Sequence, residues 1–144
     1  MNKIIFASLF YILISMNLSA DTNGIFKSSN SNLIWQDQPY TDIELNAYTN
    51  DFNKDKVGSW SYAMKYCQNL TIANYTNWRL PQKGELLKSY KNKYNFKNKN
   101  KHSYWSSTLS TLDELKYYAI YFRTGEEAVF DEVVHYYIRC VHSL

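Results

Sequence analysis

Two cysteines, Cys67 and Cys140, stand 73 residues apart, and each lies in a run whose period says which way it faces. Around the first, Trp60, Ala63, Met64, Cys67 and Leu70 recur at helical spacing after Ser59, a good N-cap, which predicts a helix with Cys67 on its buried stripe. Around the second, Val134, Tyr136, Ile138 and Cys140 alternate with His135, Tyr137 and Arg139, which predicts a strand with Cys140 on the core face. A bridge between them closes a helix onto a sheet and, in the loop-entropy description, stabilises the fold by about 4 kcal/mol. Two buried free thiols are the alternative, and the mass with and without reductant tells the two apart.

The choice depends on compartment, and the N-terminus bears on it. Lys3, the mostly apolar run from Ile4 to Met16 and the ending Leu18-Ser19-Ala20 have the pattern of a secretory signal peptide over residues 1–20. The run is short of the roughly 20 residues that span a bilayer, so no transmembrane anchor is expected in the mature chain. Export favours pairing of the cysteines and predicts a place in the periplasm, at the cell surface or outside the cell. Residues 21–144 are the size of one ordinary domain, and one is expected.

The stretch from Asn77 to Tyr90 poses a local puzzle, because Arg79 stands between Trp78 and Leu80, two residues that favour burial. Pro81 pushes Leu80 into extended geometry, so Trp78 to Leu80 reads as strand-like, with Arg79 pointing away from its neighbours. A helix then follows from Gln82 as N-cap, with Glu85 at its third position and Leu86, Leu87 and Tyr90 on its buried face. Elsewhere, Leu33 to Trp35 predicts a strand, Tyr40 to Gly58 a long loop with at most a short element, and Tyr104-Trp105 another strand. Tyr117 to Phe122, a turn containing Gly125, and Ala128 to Phe130 predict a hairpin.

Catalytic patterns are absent. No nucleophile elbow, zinc-protease helix or phosphate loop occurs, His102 lies in a lysine-rich loop, and His135 and His142 face opposite sides of one strand, so no catalytic residue or cofactor is expected. Asp51, Asn53 and Asp55 alternate as calcium ligands do. Lys56 and Tyr62 nevertheless stand where an EF-hand needs Gly and Glu, and no metal is expected. Six lysines, Lys88, Lys91, Lys93, Lys97, Lys99 and Lys101, fall in one stretch without an acid, interleaved with Tyr90, Tyr94 and Phe96. Such a stretch can hold a polyanion, and export points to an acidic or sulfated glycan, or to an envelope partner, and away from nucleic acid. A solvated lysine loop is the plain alternative in a chain this rich in Lys, Asn and Tyr. The net charge of +3 is too small to dictate a partner by itself.

Five blocks in order carry a resemblance: "LIWQD" at Leu33 to Asp37, "WSYAMKYCQNL" at Trp60 to Leu70, "NWRLPQKGELL" at Asn77 to Leu87, "YWSST" at Tyr104 to Thr108 and "YIRCV" at Tyr137 to Val141. Together they resemble a bacterial family best known as the C-terminal domain of the Legionella collagen-like adhesin, in large part a domain of unknown function. The resemblance implies a C-type-lectin-like α+β fold, two helices around a twisted antiparallel sheet with the chain ends close together, and placement outside the cytoplasm. Collagen-like repeats are missing here, so a trimeric stalk does not carry over. A related lectin-like fold serves formylglycine-generating enzymes, which need a cysteine pair near the C-terminal end, where this chain has Cys140 alone. The resemblance therefore implies a non-catalytic binding module, with a structural subunit of an envelope assembly as the other reading.

Overall fold

The computed structural model describes residues 23–144; the predicted signal peptide lies outside them. Within that range the chain folds as α+β. Its order is β1 (Ile25–Lys27), β2 (Leu33–Gln36), α1 (Asp42–Thr49), β3 (Val57–Gly58), α2 (Trp60–Gln68), α3 (Lys83–Lys91), β4 (Ser103–Leu109), β5 (Lys116–Tyr121), β6 (Glu126–Asp131), β7 (Tyr136–Tyr137) and β8 (Val141–Ser143). Two sheets result, a three-stranded one in the order β1-β2-β8 and a five-stranded one in the order β3-β7-β4-β5-β6. The expectation of two helices around one sheet is thus corrected to three helices and two sheets.

The unexpected helix, α1, starts where Thr41 and Glu44 cap each other: the Glu44 carboxylate accepts from the Thr41 N–H at 2.7 Å and the Glu44 N–H donates to the Thr41 hydroxyl at 3.4 Å. Its apolar pattern points the wrong way for recognition, since Ile43 and Leu45 are exposed while Glu44 and Ala47 are buried. Glu44 tolerates burial because its other oxygen takes the Lys56 ammonium at 2.7 Å and the Lys56 N–H at 2.9 Å.

The expected strand from Val134 to Cys140 shortens to β7, and the chain then passes through Ile138, Arg139 and Cys140 to β8 in the other sheet. The linking residues are buried on both sides. Ile138 and Cys140 join a core cluster with Ala63, Cys67, Trp78, Leu80 and Trp105. Tyr137 and Val141 join another, with Trp35, Leu86, Phe96, Tyr104 and Ile120. The neighbours Ile34 and Trp35, like Tyr104 and Trp105, also divide between the two clusters. Strands running between two cores lose the apolar-polar alternation of a one-sided sheet. Each aliphatic side chain so enclosed contributes about 1.5–3 kcal/mol by leaving water.

Cys67 and Cys140 are joined in a disulfide, with their Cα atoms 5.6 Å apart, and α2 is fastened to the segment entering β8. Trp78 and Leu80 are buried, while Arg79 turns away to the Glu85 carboxylate, which it grips through both terminal nitrogens at 2.9 and 2.8 Å. Glu85 also accepts the Gln82 N–H at 2.7 Å, and the Arg79 main chain pairs with Val141. The arginine between two buried residues therefore ties the start of α3 to the edge of β8.

Candidate functional site

The lysine-rich segment is an ordered strap across the molecule. Lys88 and Lys91 lie on α3, which Asn92 caps at its C-terminus; Lys93 then takes a left-handed conformation, φ 49°, and the Tyr94 N–H returns to the Ser89 carbonyl at 3.0 Å. From here residues alternate. Lys93, Asn95 and Lys97 are exposed, whereas Tyr94 and Phe96 turn inward, Phe96 meeting Trp35 edge-on with ring centres 5.6 Å apart. The alternation is only five residues long and carries Asn and Lys outside, which is why the sequence alone reads as aperiodic. Tyr94, expected to meet ligand, is a core residue first.

Beneath the strap lies an ion pair that the sequence did not reveal. Asp37 and Arg139, 4% and 3% exposed, approach to 3.1 Å. The Asp37 carboxylate also accepts the N–H groups of Lys97, at 2.7 Å, and Asn98, at 3.0 Å. Arg139 donates as well to the carbonyls of Gln36, at 2.8 Å, and Asn98, and its guanidinium lies over the Phe96 ring, 4.1 Å from its centre. Burial by itself disfavours the Arg139 cation, but the facing phenols of Tyr104 and Tyr40 and the Asp37 carboxylate outweigh it and hold its pKa above the ordinary value. Farther on, the Asn100 N–H donates to the Tyr104 hydroxyl at 3.0 Å. A loop without a ladder must satisfy its N–H groups somewhere, and here a buried carboxylate and a phenol receive them.

All six lysines remain exposed, but they do not line one cavity. Lys93 and Lys99 border a cavity of about 270 Å³ walled by Tyr90, Tyr94, Phe96 and Phe122. Lys97 faces another, of about 410 Å³, together with Lys27 and over Ile25 and Phe26. Lys88, Lys91 and Lys101 line neither. The first cavity depends on Gly125 at φ 78° in the β5–β6 turn, since a Cβ there would fall 2.2 Å from a Tyr90 ring carbon. Rings flanked by ammonium groups suit a ligand with an apolar face and an anionic substituent.

The other singled-out residues have separate surroundings. The His102 ring stacks near Tyr48 and Tyr137, His135 lies 3.9 Å from Asp51, and His142 Nδ1 donates to the Thr76 carbonyl at 2.6 Å. The Asn53 side-chain oxygen accepts the Ser59 N–H, and Asp55 pairs with Lys54. Among the described residues, no group of three or more His, Cys, Asp or Glu side chains is placed to hold a metal ion, and no helix is long and apolar enough to cross a membrane.

With this geometry in place, the family model for the Lcl C-terminal domain matches residues 24–142, nearly the whole described chain. No curated protein matches it.

Proposed function

The chain belongs to the Lcl C-terminal domain family, and from that premise we propose that it is an exported, non-catalytic binding module of C-type-lectin-like fold that takes an acidic or sulfated glycan on its lysine strap. The observation that carries the reading is the pairing of exposed Lys93 and Lys99 with an aromatic-walled cavity, on a strap held in place by Asp37 and Arg139. Association of the family with an adhesin favours binding over chemistry. The disulfide and the leader pattern support export, and the lectin-like reading draws on helices packed against antiparallel strands, with β1 and β8 flanking β2 in one sheet.

An array of neutral, acidic and sulfated glycans, read at low and physiological salt, tests the proposal. Binding is expected to favour sulfated or acidic members and to weaken with salt, because exposed charges are screened. Lys93→Ala with Lys99→Ala is expected to weaken it at least tenfold with the fold retained. Equal binding by that variant sinks the site, and no glycan binding at either salt sinks the reading. A structural subunit of an envelope assembly is the second reading, favoured by the exposed apolar side chains of Leu112, Leu115 and Val133.

A further inference from the structure

We propose that the outer edge of β6 is a docking site for an extended, basic segment of a partner protein, added as a further strand to the five-stranded sheet. The inference is independent of glycan binding.

β6 is the last strand on its side of that sheet, six residues long and joined only to β5. The alternation of main-chain groups follows from the hydrogen bonds of β5. Lys116 accepts the Ser110 N–H and Phe122 donates to the His102 carbonyl, so Lys116, Tyr118, Ile120 and Phe122 turn their main chain toward β4. The β6 residues opposite the first three are Asp131, Val129 and Glu127, which therefore turn their main chain outward. The Asp131 carbonyl accepts the Val134 N–H. The three outward N–H groups and the carbonyls of Glu127 and Val129 have no main-chain partner among the described residues. Such a row is a template for strand addition, with main-chain bonds supplying affinity and side-chain positions supplying selection.

Charge selects the occupant. Glu126, Glu127 and Asp131 are exposed along the edge and Glu132 follows, while no lysine or proline interrupts the strand as a guard. A second copy is a poor partner: antiparallel pairing of two β6 edges centred on Val129 sets Glu127 opposite Asp131 twice, and like charges directly opposite are destabilising. A segment with Lys or Arg at alternate positions sets them on one face of the extended sheet, where Asp131 and Glu127, the latter already holding Lys83 at 3.2 Å, carry the opposite sign. Beyond Asp131 the same segment would run onto apolar side chains. Lys116 is opposite Asp131, so Leu115 and Val133 lie at the same end of the sheet, and they are 75% and 70% exposed, with Leu112 at 92% on the same turn. The favoured ligand is therefore a short extended stretch, alternately basic, ending in one or two aliphatic residues.

The probe is a capped eight-residue peptide with lysine at alternate positions and a terminal pair of leucines, compared with the same peptide carrying glutamate for lysine. Amide exchange of the disulfide-bonded protein is expected to slow at Glu127, Val129 and Asp131 with the basic peptide alone, and affinity is expected to fall with salt. Val129→Pro removes an outward N–H at a place where an edge strand accepts proline, and at least tenfold weaker binding is expected with near-ultraviolet circular dichroism unchanged. Should that variant not fold, Glu127→Lys with Asp131→Lys carries the same expectation of tenfold loss. Unchanged exchange at the three amides overturns the proposal. Equal binding of the acidic peptide does so too, as does slowed exchange at high protein concentration without peptide, which would make the occupant a second copy.

Discussion

Arg139 and Cys140 are neighbours in the chain, yet they fasten opposite sides of the molecule by different chemistry. Cys140 is bonded to Cys67 on α2, while Arg139 reaches Asp37 and, through it, the strap that carries the lysines. The two regions need different fasteners. A helix satisfies its own backbone and buries a stripe, so α2 already packs through Ala63 beside Trp78 and Trp105, and the bridge adds to a contact that exists. The strap buries only Tyr94 and Phe96 and has no ladder for its N–H groups, so a fixed charge must receive them. Regular elements are held by burial, and irregular ones by specific polar partners.

The comparison breaks most sharply at Asp37. Asp37→Ala leaves Arg139 buried without its counter-charge and orphans two N–H groups, with an expected cost of about 3–5 kcal/mol. Denaturant unfolding measures that loss, and amide exchange should rise first at Lys97 and Asn98. A loss below about 1 kcal/mol would mean that the strap is held some other way. Next in size is the bridge: Cys67→Ala with Cys140→Ala is expected to cost about 2–4 kcal/mol, chiefly through the freed unfolded chain, while exchange at Lys97 and Asn98 in the native state stays as it was. Equal loosening of the strap in that variant would erase the distinction between the two fasteners.

The smallest effect is at Arg79 and Glu85, whose pair is partly open to water, the arginine side chain 38% exposed. Arg79→Ala is expected to cost about 0.5–1 kcal/mol at neutral pH. Partial burial pushes the Glu85 pKa up, but the Arg79 hydrogen bond and the Gln82 N–H outweigh it and leave the pKa below the ordinary value. A depressed carboxylate stabilises the fold above its unfolded pKa, about 4.3, and loses that contribution as pH falls through the folded value. The gap between wild type and Arg79→Ala should therefore close below about pH 4. The cost of removing the disulfide should not follow this titration, and urea midpoints across pH 3 to 7 compare the two.

These differences also explain what could be read in advance. α2 and the disulfide were legible because a helical stripe and an alternating run each reveal a facing. The link of Arg79 to Glu85 was half legible, as alternation said that the arginine turns away from Trp78 and Leu80 but not what it meets. α1 escaped because its cap is sound while its exposed Ile43 and Leu45 and buried Glu44 invert the usual pattern. The surroundings of Arg139 were hidden for a related reason. Alternation places it opposite Cys140, and a one-sided sheet would make that solvent, but the segment runs between two clusters and the opposite side is another core. Its partner lies 102 residues away, beyond any local signal. The six lysines were visible; their division between two cavities and open surface depends on which residues of the strap turn inward.

The bridge also decides where a mechanical load would travel. β1 and β8 both run antiparallel to β2 and hence parallel to each other, so a pull between residues 23 and 144 acts on them in shear, straining their hydrogen bonds together rather than one by one. From the C-terminal end, tension passes back to Cys140, crosses the sulfurs to Cys67 and continues toward β1. The residues between the two cysteines, including α3, the lysine strap and β4 to β7, lie on a closed loop outside that line. A ligand held on the strap would rest on a part of the chain that a taut tether cannot stretch until the sulfur bond is cut.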